Sequence, residues 1–317
     1  MTSPDPAVAD PAHLTALHGT LVSWYDAHGR DLPWRRPDRT PWGVFVSEIM
    51  LQQTQVSRVE PIWRDWMARW PTPAALAAEP VGEVIRAWGR LGYPRRAVRL
   101  HGAATAMVDR FGGSVPATEA ELAILPGVGG YTAAAVAAFA YGVRTTVVDT
   151  NVRRVQARLV TGVAQAAPTL SAAELRIARA LLPPDDVAAV WNVAVMDLGA
   201  LVCTARSPDC AACPVASACA WLLAGRPAYD GPPRRTQRWE GTDRQLRGAI
   251  LQALRAATAP LRRATLRRIA WELLVTTRDD ARFDRCLDSL VADGLVEPRA
   301  GGRLALPGGR TGSRARG

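Results

Sequence analysis

The sequence predicts an all-α protein followed by a small winged-helix-like unit. Three observations carry that expectation. From residue 14 to about residue 223, apolar residues recur at helical spacing in segments of roughly 8 to 15 residues. Short Gly/Pro breaks separate the segments, at Leu32-Pro33, Pro71-Thr72-Pro73, Gly112-Gly113, Pro126-Gly127 and Pro183-Pro184. No stretch of this part alternates apolar and polar residues long enough to build a sheet.

The elements follow in order. Residues 1–13 are polar and Pro-rich, lack the apolar run of an export signal, and are expected to be disordered. Residues 14–225 form the helical body. Within it, residues 44–56 carry apolar side chains at 44, 46, 49, 50, 51 and 56, compatible with a buried helix. Residues 118–125 and 131–141 read as two helices around Leu125-Pro126-Gly127-Val128-Gly129-Gly130. Residues 226–243 hold Pro227, Gly231, Pro232, Pro233 and Gly241 and read as a linker.

Residues 244–309 form the second unit. Leu246, Ile250, Leu251 and Leu254 make one helical stripe, and Phe283, Cys286, Leu287, Leu290 and Val291 another. Leu295-Val296, a Gly301-Gly302 turn and Leu304-Ala305-Leu306 suggest a β-hairpin. Helices followed by a hairpin suggest a winged helix; a helical cap that touches no nucleic acid is the alternative. Cys286 sits on an apolar stripe and reads as core. Residues 310–317 are Gly/Arg-rich and expected to be disordered.

Composition narrows the function. The chain has 317 residues, 48% of them hydrophobic, enough for a large core. Net charge is +10, and all 39 basic side chains are arginine. Codon bias accounts for the absence of lysine, but the chemical consequence stands: no side-chain amine can form a Schiff base. A basic balance favours a polyanion such as nucleic acid. No apolar run reaches the ~18 residues of a membrane span, so a cytoplasmic location is expected, at the nucleoid when bound to DNA.

Two motifs carry chemistry. Cys203, Cys210, Cys213 and Cys219 stand in a C-x6-C-x2-C-x5-C array that can hold a metal centre. Its spacing departs from the paired C-x2-C rhythm of a zinc ribbon, yet on spacing alone an iron–sulfur cluster, a zinc site and two disulfides all stay open. The Gly-x-Gly turn at 127–129 leaves free backbone N–H groups at a helix start, where the helix dipole also favours a phosphate oxygen.

These residues, in this order, resemble the helix-hairpin-helix DNA glycosylases with a Gly/Pro-rich hairpin and catalytic Asp, and within them the adenine DNA glycosylases of the MutY family. The resemblance is carried by Leu32-Pro33-Trp34-Arg35, by residues 47–56 (Ser-Glu-Ile-Met-Leu-Gln-Gln-Thr-Gln-Val), and by Leu91-Gly92-Tyr93. It continues through the hairpin at 125–132, Val148-Asp149-Thr150-Asn151-Val152 and Met196-Asp197-Leu198-Gly199-Ala200, and covers residues 14–223. It implies a two-lobed fold, a [4Fe-4S] cluster on the four cysteines, no nucleotide cofactor, and a monomer acting on double-stranded DNA that contains mispaired adenine.

It also implies roles. Hydrolysing the bond between adenine and deoxyribose needs a proton for the leaving base and an anion against the oxocarbenium-like sugar. Glu48 resembles the acid, which burial would keep protonated, and Asp149 the stabiliser or nucleophile. Asn151 and Tyr131 would support the site. Tyr131 stands where strand-cutting relatives carry a lysine, which implies a monofunctional enzyme. Base excision requires flipping the target nucleotide out of the stack. Gln53 and Thr54 resemble residues that fill the resulting hole, and Leu91 and Tyr93 a wedge. Arg30, Trp34, Arg35 and Asp197 resemble adenine-pocket residues, and Gly127 and Gly129 a DNA-backbone contact. Arg95, Arg96, Arg99, Arg153, Arg154 and Arg158 are expected to include phosphate contacts.

The chain departs from the family at two places. No Nudix-like domain is found after residue 243, and Tyr93-Pro94 replaces a more usual pair of tyrosines. The alternatives are a mismatch thymine or uracil glycosylase, against which Glu48 speaks because a pyrimidine offers no N7, and a non-catalytic DNA-binding protein.

Overall fold

The computed structural model describes residues 10–231, 240–274 and 278–308. The expectations for residues 1–9, 232–239 and 309–317 lie outside them. The described chain divides into two compact units, one of residues 10–44, 117–123 and 128–231, the other of residues 45–116, 124–127, 240–274 and 278–308.

In the first unit every regular element among the described residues is helical. The Pro11–His28 helix starts three residues before the expected boundary at 14. Pro11 suits the first helical position, and the Asp10 carboxylate accepts the Ala12 N–H at 3.0 Å. The Asp185–Leu201 helix is the centre of this unit; Thr150–Leu159 and Pro11–His28 both pack on it. Leu21, Val152, Val155, Trp191 and Leu198 share its core, each worth about 1.5–3 kcal/mol of burial. The Glu119–Ala123 and Gly130–Tyr141 helices lie against each other and are joined by residues 124–129. Buried alanines along Gly130–Tyr141 let neighbours approach closely.

The second unit holds the Val56–Arg69, Pro73–Ala77, Val81–Trp88 and Arg95–Phe111 helices. Trp66 meets Trp70 and Trp88 edge-on at 4.8 and 5.6 Å between ring centres, and all three rings are buried. The buried helix expected over 44–56 is Pro41–Leu51. It stops five residues early because Gln53 takes a left-handed φ of 58° and Thr54 N–H turns back to the Leu51 carbonyl.

The C-terminal part runs as helix Asp243–Ala256, strand β1 (Leu261–Arg262), helices Arg263–Glu272 and Asp280–Ala292, then strands β2 (Glu297–Arg299) and β3 (Arg303–Ala305). The antiparallel sheet is ordered β1-β3-β2, with Leu304 opposite both Leu261 and Pro298. This is winged-helix order. The short β1 and the Arg263–Glu272 helix were not anticipated. This part is fastened to the Val81–Trp88 helix. Gly82 N–H donates to the Pro307 carbonyl at 2.7 Å, and Arg255 Nε to the Ile85 carbonyl at 3.0 Å. A Cβ on Gly82 would sit 2.4 Å from that Pro307 oxygen, so only glycine fits.

Candidate active site and iron–sulfur loop

Asp149 is the N-cap of the Thr150–Leu159 helix. Its Oδ1 accepts the N–H of Asn151 at 2.8 Å and of Val152 at 2.7 Å, and its Oδ2 accepts Asn151 Nδ2 at 2.8 Å. Capping and candidate catalysis therefore fall on one carboxylate. Burial pushes the Asp149 carboxyl above its ordinary value, while the Val152 and Asn151 hydrogen bonds and the Arg154 charge pull it part of the way back. The carboxylate is thus oriented by neutral donors, with its nearest cation one residue removed.

That cation was not foreseen in this place. Arg154 donates to Asn151 Oδ1 at 2.7 Å, to the Gly199 carbonyl at 2.5 Å and, through Nε, to the Cys203 carbonyl at 2.8 Å. One guanidinium therefore ties the partner of Asp149 to the start of the cysteine loop. Gly199 makes the approach possible: a Cβ there would lie 2.7 Å from Asn151 Cβ. Tyr131 packs beside Ala134, Ala135, Ala138 and Val147. In the other unit, Glu48 lies on Pro41–Leu51, a helix buried on every side, with only 5% of its surface exposed.

Asp197 is fully buried and accepts four hydrogen bonds: Arg30 N–H and Arg35 Nη1 on Oδ2, Arg30 Nε and Nη2 on Oδ1. These fill the lone-pair positions of a carboxylate. Burial alone would raise its carboxyl, but the Arg30 hydrogen bonds and the Arg35 charge outweigh that and lower it. Asp197 thus anchors Arg30 and Arg35, whose outer faces remain part-exposed, with Trp34 buried between them in sequence.

The four wedge candidates part company. Gln53 and Tyr93 are exposed, each at positive φ, 58° and 46°. Thr54 and Leu91 are buried, and Thr54 Oγ1 donates to the Leu91 carbonyl at 3.1 Å. Arg96 holds this turn from behind. It is 6% exposed and donates to the carbonyls of Ile49, Met50, Gln52, Leu91 and Gly92 and to Thr54 Oγ1. Burial, with the nearby Arg58 charge, lowers Arg96 to about 10, so it stays cationic at neutral pH.

Four of the six arginines expected to include phosphate contacts are therefore engaged inside the protein. Besides Arg96 and Arg154, Arg153 pairs with Glu174 at 2.8 Å, and Arg158 donates to the Ala164 and Thr204 carbonyls. Arg95 and Arg99 stay exposed. Gly127 has a φ of 83° and faces Arg99, whose Cβ would be 2.8 Å from an added Cβ. Gly129 has an ordinary φ of −101° and nothing within 4 Å of an added Cβ. Internal packing thus demands glycine at 127 but not at 129.

The four cysteines share one half-buried loop that closes on the first unit's core. Burial pushes Cys213 up to about 11, and negative charge on Cys203, Cys219 and Cys210 adds to it. Four mutually repelling thiolates need a cationic centre to ionise together. Arg158 Nη1 stands 3.3 Å from Cys203 Sγ and its guanidinium lies over Trp221 at 4.7 Å. Among the described residues no three His, Cys, Asp or Glu side chains are drawn in to the spacing of a single ion; a four-iron cluster does not require it, since each iron takes one thiolate.

Residues 46–179 match the model of the HhH-GPD superfamily of base excision DNA repair proteins, and residues 203–219 that of the iron–sulfur binding domain of endonuclease III. An adenine DNA glycosylase of Mycobacterium tuberculosis is 51% identical over 305 residues, spanning 96% of this chain and 97% of that protein. The chain belongs to the adenine DNA glycosylase family. A second relative, from Mycolicibacterium smegmatis, is 54% identical over 293 residues, 92% of this chain and 97% of its own. A solved thermostable thymine-DNA glycosylase shares the fold at a TM-score of 0.59 and 26% identity, covering 67% of this chain and 97% of its own.

In an adenine DNA glycosylase of this kind the cysteine loop carries a [4Fe-4S] cluster, and the zinc and disulfide alternatives are set aside. The donor set fits: four thiols in one loop, with the N–H groups of Trp221 and Leu222 directed at Cys219. No helix among the described residues is long and apolar enough to cross a membrane.

Proposed function

We propose that this protein is a monofunctional DNA glycosylase that removes adenine mispaired with 8-oxoguanine or guanine in double-stranded DNA. The observation that carries the proposal is Asp149: a part-buried carboxylate held by three N–H donors, raised by burial and not neutralised by a direct ion pair. Such a group can face a developing cation without first shedding a partner.

Glu48 gives a proton to adenine N7, and the bond between adenine and C1′ breaks with its electrons passing to the base. Asp149 stabilises the oxocarbenium-like sugar until water adds at C1′ and gives its proton to the Glu48 carboxylate, which restores the acid. Adenine and an abasic site are the products. Asn151 holds Asp149, and Tyr131 lines the same helix–hairpin–helix region. Arg30, Trp34 and Arg35, fixed by Asp197, face the base. The N–H groups of Gly129 and the residues after it donate to a DNA phosphate oxygen. The cluster supplies a covalent cross-link of the loop that Arg154 and Arg158 hold. The protein acts as a monomer.

The chain contains no lysine, so no side chain can attack C1′ as an amine. The test is a labelled duplex with one adenine opposite 8-oxoguanine, incubated with protein and split. A nick only after hot alkali is expected. A nick without alkali contradicts the monofunctional assignment. No nick in either half contradicts adenine as the target. A duplex with thymine or uracil opposite guanine should stay intact.

A further inference from the structure

The second unit contains a cavity of about 1260 Å³ whose lining includes nine arginines and no acidic residue. One wall is the pair of adjoining turns that bear Gln53 and Tyr93, joined by the Thr54–Leu91 hydrogen bond. The other is the Asp243–Ala256 helix of the C-terminal part. Arg244 from that helix lies over the Tyr93 ring at 4.4 Å, and buried Arg96 lies 5.5 Å from the same ring. Two lining arginines, Arg95 and Arg247, share Asp293 as an ion-pair partner. By contrast, Arg90 and Arg99 make no ion pair or side-chain hydrogen bond among the described residues.

Positive charge left uncompensated in a concave site selects for an extended anion. Stacked rings and planar guanidinium groups also suit a phosphodiester with a base beside it. Two exposed non-glycine residues at positive φ on the rim, Gln53 and Tyr93, are strained in the way binding elements often are.

The C-terminal part has winged-helix order, yet its charge does not favour docking by its usual element. The Asp280–Ala292 helix occupies the recognition-helix position, and it carries Asp280, Asp284 and Asp288 between Asp279 and Asp293. Carboxylates there would repel phosphates. Arg282 and Arg285 lie on the same helix and Arg263, Arg267 and Arg268 on the one before it, but Arg282, Arg263, Arg267 and Arg268 are paired with carboxylates of this part; the arginines that line the cavity with the wedge turn, Arg244, Arg247 and Arg255, come from the first helix.

We propose that the Asp243–Ala256 helix completes a phosphate-binding cleft for the strand opposite the excised base, with Arg244 gripping one phosphodiester beside the Tyr93 wedge. The assignment of the strand rests on the functional reading above, together with the resemblance by which Gln53 and Thr54 fill the hole left by the flipped nucleotide and so come beside the base opposite it. It gives the C-terminal part a role in substrate binding through its first helix.

The test uses full-length protein with its cluster and a duplex carrying a tetrahydrofuran abasic analogue opposite 8-oxoguanine. Binding is measured between about 50 and 200 mM salt. Arg244→Gln should weaken binding several-fold and reduce the slope of log K against log salt by about one. Arg244→Lys should keep the slope. Arg268→Gln, on an exposed pair with Glu272, should change neither. A neutral methylphosphonate next to 8-oxoguanine should erase the difference between wild type and Arg244→Gln, and the same group in the other strand should not.

An unchanged slope in Arg244→Gln, or weakened binding at an unchanged slope, overturns the proposal. So does a difference that only the adenine-strand methylphosphonate erases. A wild type that binds this duplex but leaves adenine in place in the adenine–8-oxoguanine duplex of the functional test would defeat the functional reading and leave the cleft standing.

Discussion

Asp149 and Asp197 sit in the same unit, both removed from bulk water, and they are held in opposite ways. Asp197 meets two guanidinium groups directly, four hydrogen bonds in all, and its carboxyl is lowered. Asp149 meets backbone and amide N–H groups, keeps its nearest guanidinium behind Asn151, and is raised. The partners, more than the burial, decide the difference. A carboxylate locked to arginines is a fastening. One held by neutral donors keeps an unneutralised charge that a reaction can use.

That contrast can be broken most severely at Asp149. Asp149→Asn should cut adenine excision by at least about 10²- to 10³-fold, the scale of losing one preorganised electrostatic group. Its thermal midpoint should not fall, because asparagine caps a helix as well as aspartate and a raised carboxyl costs stability when ionised. A destabilised Asp149→Asn would show that the charge is structural.

Asp197→Asn should do the reverse. Removing one partner of a buried pair costs about 3–5 kcal/mol, and the part-exposed arginines place this case near ~3 kcal/mol in urea unfolding. The sign follows from the lowered carboxyl. The pair's contribution is complete above the ordinary aspartate range near ~3.9 and is lost as pH falls through the lower folded value. Acid unfolding of wild type but not of Asp197→Asn should therefore show that loss.

The arm from Arg154 sharpens the comparison. In the proposed mechanism Asp149 acts as a carboxylate, so excision should fail as pH drops through its raised folded value, above the usual aspartate range. Asn151 and Arg154 both pull that value down. Asn151→Ala and Arg154→Gln should move the acidic limb of the single-turnover rate to higher pH; a limb that stays put would detach both residues from the carboxylate. The smallest effect belongs to Arg153→Gln. It breaks a half-buried pair with Glu174 and two hydrogen bonds to the Ala167 and Thr169 carbonyls, and should cost about 1–2 kcal/mol while leaving excision unchanged.

Much of this was legible in the sequence. Helical spacing and Gly/Pro breaks gave the all-α body, since both are local properties. The cysteine spacing marked the metal loop, and Leu125 to Gly130 marked the hairpin. Asp149 stood out by its motif, though motif and spacing do not say whether a carboxylate meets arginines or amides. Arg30 and Asp197 lie 167 positions apart, and their ion pair exists only once the helices pack. The same limit explains the arginines. Arg96, Arg154 and Arg158 look like solvated charges in a basic chain, yet each spends its donors on carbonyls brought together by the fold. Strand β1 was missed because two residues carry no period.

The central claim is that a buried acid and Asp149 together expel adenine. Its most direct test is the single-turnover excision rate of Glu48→Gln on adenine opposite 8-oxoguanine, with cluster absorbance and DNA binding checked alongside. The account predicts binding and colour like wild type with excision all but abolished. Excision at the wild-type rate would contradict it, because no protonated Glu48 would remain to release the base.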